Sequence, residues 1–141
     1  MRDIAIGDRL PDHVQGPISR GTLALYAGAS NDDVLFHIDS DYAKACGMDD
    51  VIAHGMLSMA YLAQMLAHWG GQENLRDWKV RFLAVTPLYA TVRCTGEVID
   101  LFEAEGEKRA RLKIGASVDG GPPTIAGEAV VALNQKERDG S

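Results

Sequence analysis

Cysteine is scarce in this 141-residue chain: there are two, with no C-x-x-C pair. Cys46 and Cys94 lie far apart, which excludes a disulfide framework or a zinc site and reads as reduced thiols in a cytoplasmic protein. Positive charge is short as well, with Lys+Arg at 14 against Asp+Glu at 20 and a net charge of −6. Phosphate affinity needs a clustered positive surface, so a nucleic-acid binder is not expected. No run of ~18 apolar residues exists to form a membrane helix. The N-terminal stretch MRDIAIGDRLPDH is charged throughout and lacks the apolar segment of a secretion signal. With 46% hydrophobic residues the chain is not of the disordered class either. What remains is a single acidic cytoplasmic domain over 1–141, with a polar, frayed tail at 135–141.

The chain is helical early and strand-forming late. Gly7-Asp8, Pro11 and Gly16-Pro17 punctuate an extended entry segment over 1–18. Ser19 or Thr22 can cap a helix that turns Leu23, Leu25, Tyr26 and Ala29 to the core. Ser40 can cap a short helix from Asp41 to Cys46, ended by Gly47. Residues 55–69, GMLSMAYLAQMLAHW, form the clearest helix. Met56, Met59, Leu62, Ala63, Leu66 and Trp69 make one stripe, and Leu57, Ala60, Met65 and Ala67 fill much of the remaining circumference. A helix apolar nearly all round is a buried helix.

From Trp78 the period changes to that of strands, over 78–85, 91–101, 110–118 and 124–133, with turns at Glu103 to Lys108 and Asp119 to Pro123. An antiparallel sheet curved around one central helix at about 55–69 satisfies both patterns. That is the α+β hotdog arrangement. Its edge strand pairs with a copy of itself, so a homodimer or higher homo-oligomer is expected.

Two places concentrate chemistry. Between Ser30 and Tyr42 lie Asp32, Asp33, His37, Asp39 and Asp41. Polar residues end helices for local reasons, but Asp32 and His37 flank the apolar insert Val34-Leu35-Phe36. The loop is therefore expected to dive into the core, holding an acid and an imidazole at an apolar margin where proton affinities shift. The second place is Ala53-His54-Gly55-Met56. Gly55 sits in the first turn of the buried helix, where its N–H has no intrahelical acceptor and where the missing Cβ lets a ligand approach. The helix dipole adds to this, making a place for an oxygen that develops negative charge. Gly55 also has the plainer reading of close helix–sheet packing, and His54 that of a satisfied core histidine.

The run Tyr26-Ala-Gly-Ala-Ser-Asn-Asp-Asp-Val-Leu-Phe-His37-Ile-Asp39, followed by Ile52-Ala-His-Gly-Met56, resembles the MaoC-like dehydratases, also called (R)-specific enoyl-CoA hydratases. Their hydratase motif is Ser-Gly-Asp-x-Asn-Pro-(aliphatic)-His-x-Asp, with His-Gly-Met about seventeen residues later. Gly7-Asp8 and Val80-Arg81-Phe82 extend the likeness to nearly the whole chain, nearest to the mycobacterial (3R)-hydroxyacyl-ACP dehydratase subunits. The resemblance implies a catalytic aspartate at Asp32, a catalytic histidine at His37 and an oxyanion glycine at Gly55. It implies addition of water across a trans-2-enoyl thioester to give the (3R)-3-hydroxyacyl thioester, or the reverse. His37 would then be base and protonated Asp32 acid, sharing one water, so the two roles can exchange. No metal or organic cofactor is implied; the phosphopantetheine of CoA or of an acyl carrier protein belongs to the substrate.

Where the family has Asn-Pro this chain has Val34-Leu35, which removes an amide and a rigid turn and suits a pocket repacked for a bulky acyl group. Val34, His54, Met56 and Met59 are the candidate substrate-binding residues, with Met48 and Met65 as further adaptable filling. Asn31 replaces a glycine and is a residue that accepts a left-handed conformation. Lys79, Arg81 and Arg93 are candidates for the carrier's phosphates. Three other readings stand beside this one. They are a non-catalytic hotdog subunit of a hetero-oligomer, a hotdog thioesterase, and a metal oxygenase using His37-Ile38-Asp39 with His54 or His68.

Overall fold

The computed structural model describes residues 3–119 and 121–133; the polar tail, 135–141, lies outside the described residues. The entry segment contributes a short strand β1 (His13–Gln15) rather than only an extended lead-in. It is joined to the core by Leu10, which packs into the space over Gly96 at 3.1 Å from where a Cβ would stand. Helix α1 (Arg20–Ser30) starts at Ser19, whose hydroxyl accepts the Thr22 amide at 3.1 Å. It ends on Asn31 at φ +59°, the left-handed position that its sequence context calls for. Leu23 and Ala27 face the core, whereas Leu25 is 78% exposed and Ala29 is also outside. Leu25 lies two residues from both Leu23 and Ala27, about 200° round the helix, so the three cannot share a face.

Helix α2 (Ser40–Ala45) begins one residue earlier than the sequence suggests. Asp39 is its cap, accepting the Tyr42 amide at 3.1 Å, and Ser40 instead donates to Asp50 at 2.8 Å. Helix α3 (Gly55–Gly70) runs as expected, with Leu57, Ser58, Leu62, Met65 and Leu66 buried. Met56 is 54% exposed, and Ala60, Gln64 and His68 share its outer side. The buried face is therefore rotated from the stripe chosen on the sequence. Apolar residues round most of a helix leave little contrast to orient it, and the sheet selects the face.

The sheet is wholly antiparallel in the order β1-β3-β4-β5-β2, with β2 (Leu75–Phe82), β3 (Val92–Ala104), β4 (Glu107–Val118) and β5 (Pro123–Ala132). Along β3 and β4 every second residue is buried, Val92-Cys94-Gly96-Val98 and Ala110-Leu112-Ile114-Ala116. A bulge interrupts β3 between Val98 and Asp100, and Ile99 and Leu101 next to it are partly exposed. Glu105 (φ 51°) and Gly106 (φ 77°) form the two-residue turn between these strands. Strand β2 starts before Trp78 and ends at Phe82, with Leu83 and Val85 leaving the sheet exposed. Its free edge has no partner strand among the described residues, since β2 pairs only with β5. Among the described residues no helix is long and apolar enough to cross a membrane.

Candidate active site

The chain from Asn31 to Asp39 leaves α1 and makes a single 3-10 turn, Leu35–His37, before α2. It does not bury its apolar insert. Val34 is 50% and Leu35 43% exposed, and only Phe36 is half-buried, edge-on to Tyr42. One 3-10 turn spreads successive side chains about 120° apart, so three consecutive residues cannot all point inward. The inward direction is taken by His37.

His37 Nδ1–H donates to the Ile52 carbonyl at 2.8 Å, which leaves Nε2 as a bare acceptor. The ring lines a cavity of about 340 Å³ that also presents Gly55, Ser58, Phe82, Thr124 and Ile125. Beneath His37 lies His54, fully buried, its ring stacked at 3.9 Å between centroids and 24° between planes. His54 Nε2–H donates to the Asp32 carbonyl at 3.0 Å, and Tyr26 packs edge-on to the ring at 4.7 Å. Burial pushes the His54 imidazole below its ordinary value, so it stays neutral. The Tyr26 hydroxyl is pushed up, first by burial and then by the charge of Asp32. His54 thus ties the backbone at Asp32 to the ring of His37, and ligating atoms of all three residues lie within 4.8 Å of one another.

Gly55 is the first residue of α3, and its amide has no acceptor within the helix. The Phe82 ring lies over it, 3.0 Å from where a Cβ would stand. An imidazole nitrogen and a helix-end amide on one cavity, with the Asp32 carboxylate within 4.8 Å of the histidine, are groups able to move a proton while an oxygen becomes negative.

The structure brings the Asp32 carboxylate to His37 and sets His37 and Gly55 on one cavity, with Asp32 itself off the wall. It does not bring Val34, His54, Met56 or Met59 to the cavity wall. Val34 is half exposed, His54 lies under His37, Met56 is exposed, and Met59 packs against the core. Ser58 and Met59, three and four positions on, are both neighbours of Gly55 on the helix, and it is Ser58 that lines the cavity while Met59 packs against the core. Ser58, Phe82 and Thr124 are the wall residues missed on the sequence; a lone serine inside an otherwise apolar helix was the available signal. Arg93 is engaged by Asp12 and Asp119 at 3.0 and 3.2 Å. Of the metal triad of His37 and Asp39 with His54 or His68, Asp39 caps α2 and His68 sits edge-on to His13; the two histidines and one carboxylate that do converge are His37, His54 and Asp32.

Helix and wrapped sheet define a hotdog protein, with a carboxylate and an imidazole near the N-terminus of its central helix. The model of the MaoC-like domain matches residues 4–118, and the chain belongs to that family. A 3-hydroxyacyl-thioester dehydratase Z of Mycobacterium tuberculosis is 27% identical over 135 residues, covering 90% of this chain and 89% of its own. The R-hydratase PhaJ1 from Pseudomonas aeruginosa superposes with a TM-score of 0.82 at 24% identity, over 94% of this chain and 84% of that one. An (R)-hydratase from A. caviae involved in PHA biosynthesis gives 0.81 at 22%, over 95% and 100%.

Proposed function

We propose that this protein interconverts trans-2-enoyl and (3R)-3-hydroxyacyl thioesters, with Asp32, His37 and Gly55 as its working groups. The observation that carries this reading is the commitment of His37 Nδ1 to the Ile52 carbonyl, which aims a basic Nε2 at the cavity next to the Gly55 amide. In hydration, Nε2 takes a proton from water as the water oxygen bonds to C3. The electron pair moves onto the thioester oxygen, which accepts from the Gly55 N–H, and protonated Asp32 then delivers a proton to C2. The dehydratase and hydratases to which the chain is similar support this chemistry.

The substrate carrier is CoA or an acyl carrier protein, in the cytoplasm, and neither a metal nor an organic cofactor takes part. The unit is a single domain over 1–141, and it works as a homodimer. Exposed Val34, Leu35, Met56, Leu83 and Val85, together with the free edge of β2, supply an apolar surface for a second copy. The rival reading, a non-catalytic subunit of a two-chain dehydratase, draws on Val34-Leu35 standing where an Asn-Pro pair is expected.

The test follows enoyl-thioester absorbance with purified protein, using crotonyl-CoA and a longer or branched enoyl-CoA. His37→Ala and Asp32→Ala are each expected to lose about 10²–10⁴-fold in rate. A wild type inactive on every enoyl thioester, and indistinguishable from both variants, refutes the catalytic reading and favours the rival.

A further inference from the structure

A serine inside a helix ordinarily turns its hydroxyl to the carbonyl four residues earlier, or out to water. Ser58 does neither. It is 1% exposed, and its Oγ has no hydrogen-bond partner among the described residues. It stands on the cavity wall with His37 and Gly55. Buried polar groups in folded proteins are nearly always paired, so an unpaired hydroxyl facing a cavity implies a partner supplied by the ligand. Thr124, on the same cavity, has no such need because its hydroxyl already donates to the Ala116 carbonyl at 3.3 Å.

Its place along α3 says which part of the ligand it meets. Gly55 and Ser58 are three residues apart on one face, ~4.5 Å along the axis. Gly55 is exposed and Ser58 buried, so a thioester held at the Gly55 amide runs its acyl chain inward past Ser58. The hydroxyl then lies level with the carbons just beyond the reacting C2–C3 bond.

We propose that Ser58 is a specificity-determining residue, whose hydroxyl hydrogen-bonds a polar atom carried at C4 or C5 of the acyl chain. Oxygenated 2-enoyl thioesters, rather than plain aliphatic ones, are then the favoured substrate class. This rests on the hydratase reading of the site. A methylene at that point gives the hydroxyl nothing to bond, whereas a polar atom gains a hydrogen bond worth about tenfold in affinity. A serine hydroxyl both donates and accepts, so a hydroxyl or a keto oxygen on the chain serves equally.

The experiment compares trans-hex-2-enoyl-CoA with its 5-hydroxy derivative on wild type and Ser58→Ala. Calorimetric binding of hexanoyl-CoA and 5-hydroxyhexanoyl-CoA supplies the same comparison without turnover. The wild type is expected to favour the hydroxylated thioester about tenfold in kcat/KM and Kd, mainly through KM, and Ser58→Ala to lose that preference. The variant should melt no lower than wild type, because it removes an unpaired hydroxyl and adds a better helix former. Equal Kd for the two ligands in wild type, or a preference that survives in Ser58→Ala, overturns the inference. So does a fall in melting temperature of several degrees, which makes the hydroxyl structural. Equal turnover of both substrates sinks the inference and leaves the hydratase reading standing. A hydroxyl preference in Kd with no turnover of either does the reverse.

Discussion

Gly55→Ala separates an oxyanion role for this glycine from a packing role. A Cβ built there meets Phe82 Cε1 at 3.0 Å and Cδ1 at 3.1 Å. Comfortable carbon contacts are ~3.5–4.0 Å, so the ring must give by roughly half an ångström. Phe82 is 52% exposed, at the end of β2, and its ring is free to swing on that scale. The strain is therefore under ~1 kcal/mol, and alanine's better helix propensity offsets up to ~1 kcal/mol of it. Melting temperature should move by no more than about 3 °C. The new methyl, however, occupies the approach to the Gly55 amide. Obstructing a donor of this kind should lower kcat by about 10²–10³-fold, the scale seen when one oxyanion donor is lost. Thermal melting and hydration kinetics on the same preparation decide it. Unchanged kcat in a stably folded variant refutes the oxyanion assignment. A large fall in melting temperature with proportionate loss of active protein shows that Gly55 serves packing alone.

His54 makes stability depend on pH. Its folded-state pKa is depressed by burial below the ordinary 6.5, so its contribution is fully present above pH ~6.5 and is lost as pH falls below that. The slope is at most ~1.4 kcal/mol per pH unit for this one proton, and His54→Phe should remove it between pH 7 and 5, as read by urea unfolding. A slope unchanged in the variant contradicts the buried neutral imidazole. Glu107 acts lower on the scale. Arg76, and then Arg109, hold its carboxyl down at about 2, so the stability it lends is present above about pH 4.5 and lost towards pH 2. Glu107→Gln should flatten unfolding curves there and leave pH 5–7 untouched. Leu112, fully buried on β4 within the central cluster, should cost about 2–5 kcal/mol as Leu112→Ala, measured by chemical unfolding.

The proposed trio was legible as a candidate because its signals are local. Asp32 and His37 lie on one short loop, and Gly55 is marked by the helix it begins. Capping was legible within one residue, since Ser19 and Asp39 act on amides three positions away. The pocket wall was not. Phe82 and Thr124 come from β2 and the loop-to-strand junction of β5, brought over Gly55 only by the register that sets Phe82 against Ile125. Methionines attracted attention as adaptable filling, yet Met56 lies 100° round the helix from Gly55 and Met59 packs into the core.

By itself, then, the sequence determined most of the helices and strands, the buried central helix and the loop that carries Asp32 and His37, because periodicity, capping and loop chemistry act over a few positions. Tertiary structure decided which face of α3 is buried, because that helix is apolar round most of its circumference and only Gln64 and His68 mark its outer side. It also decided that Val34 and Leu35 stay outside, that His54 stacks beneath His37, and that a serine rather than a methionine shares the cavity with Gly55. Each of these depends on which distant surface a side chain meets, and no spacing along the chain encodes that.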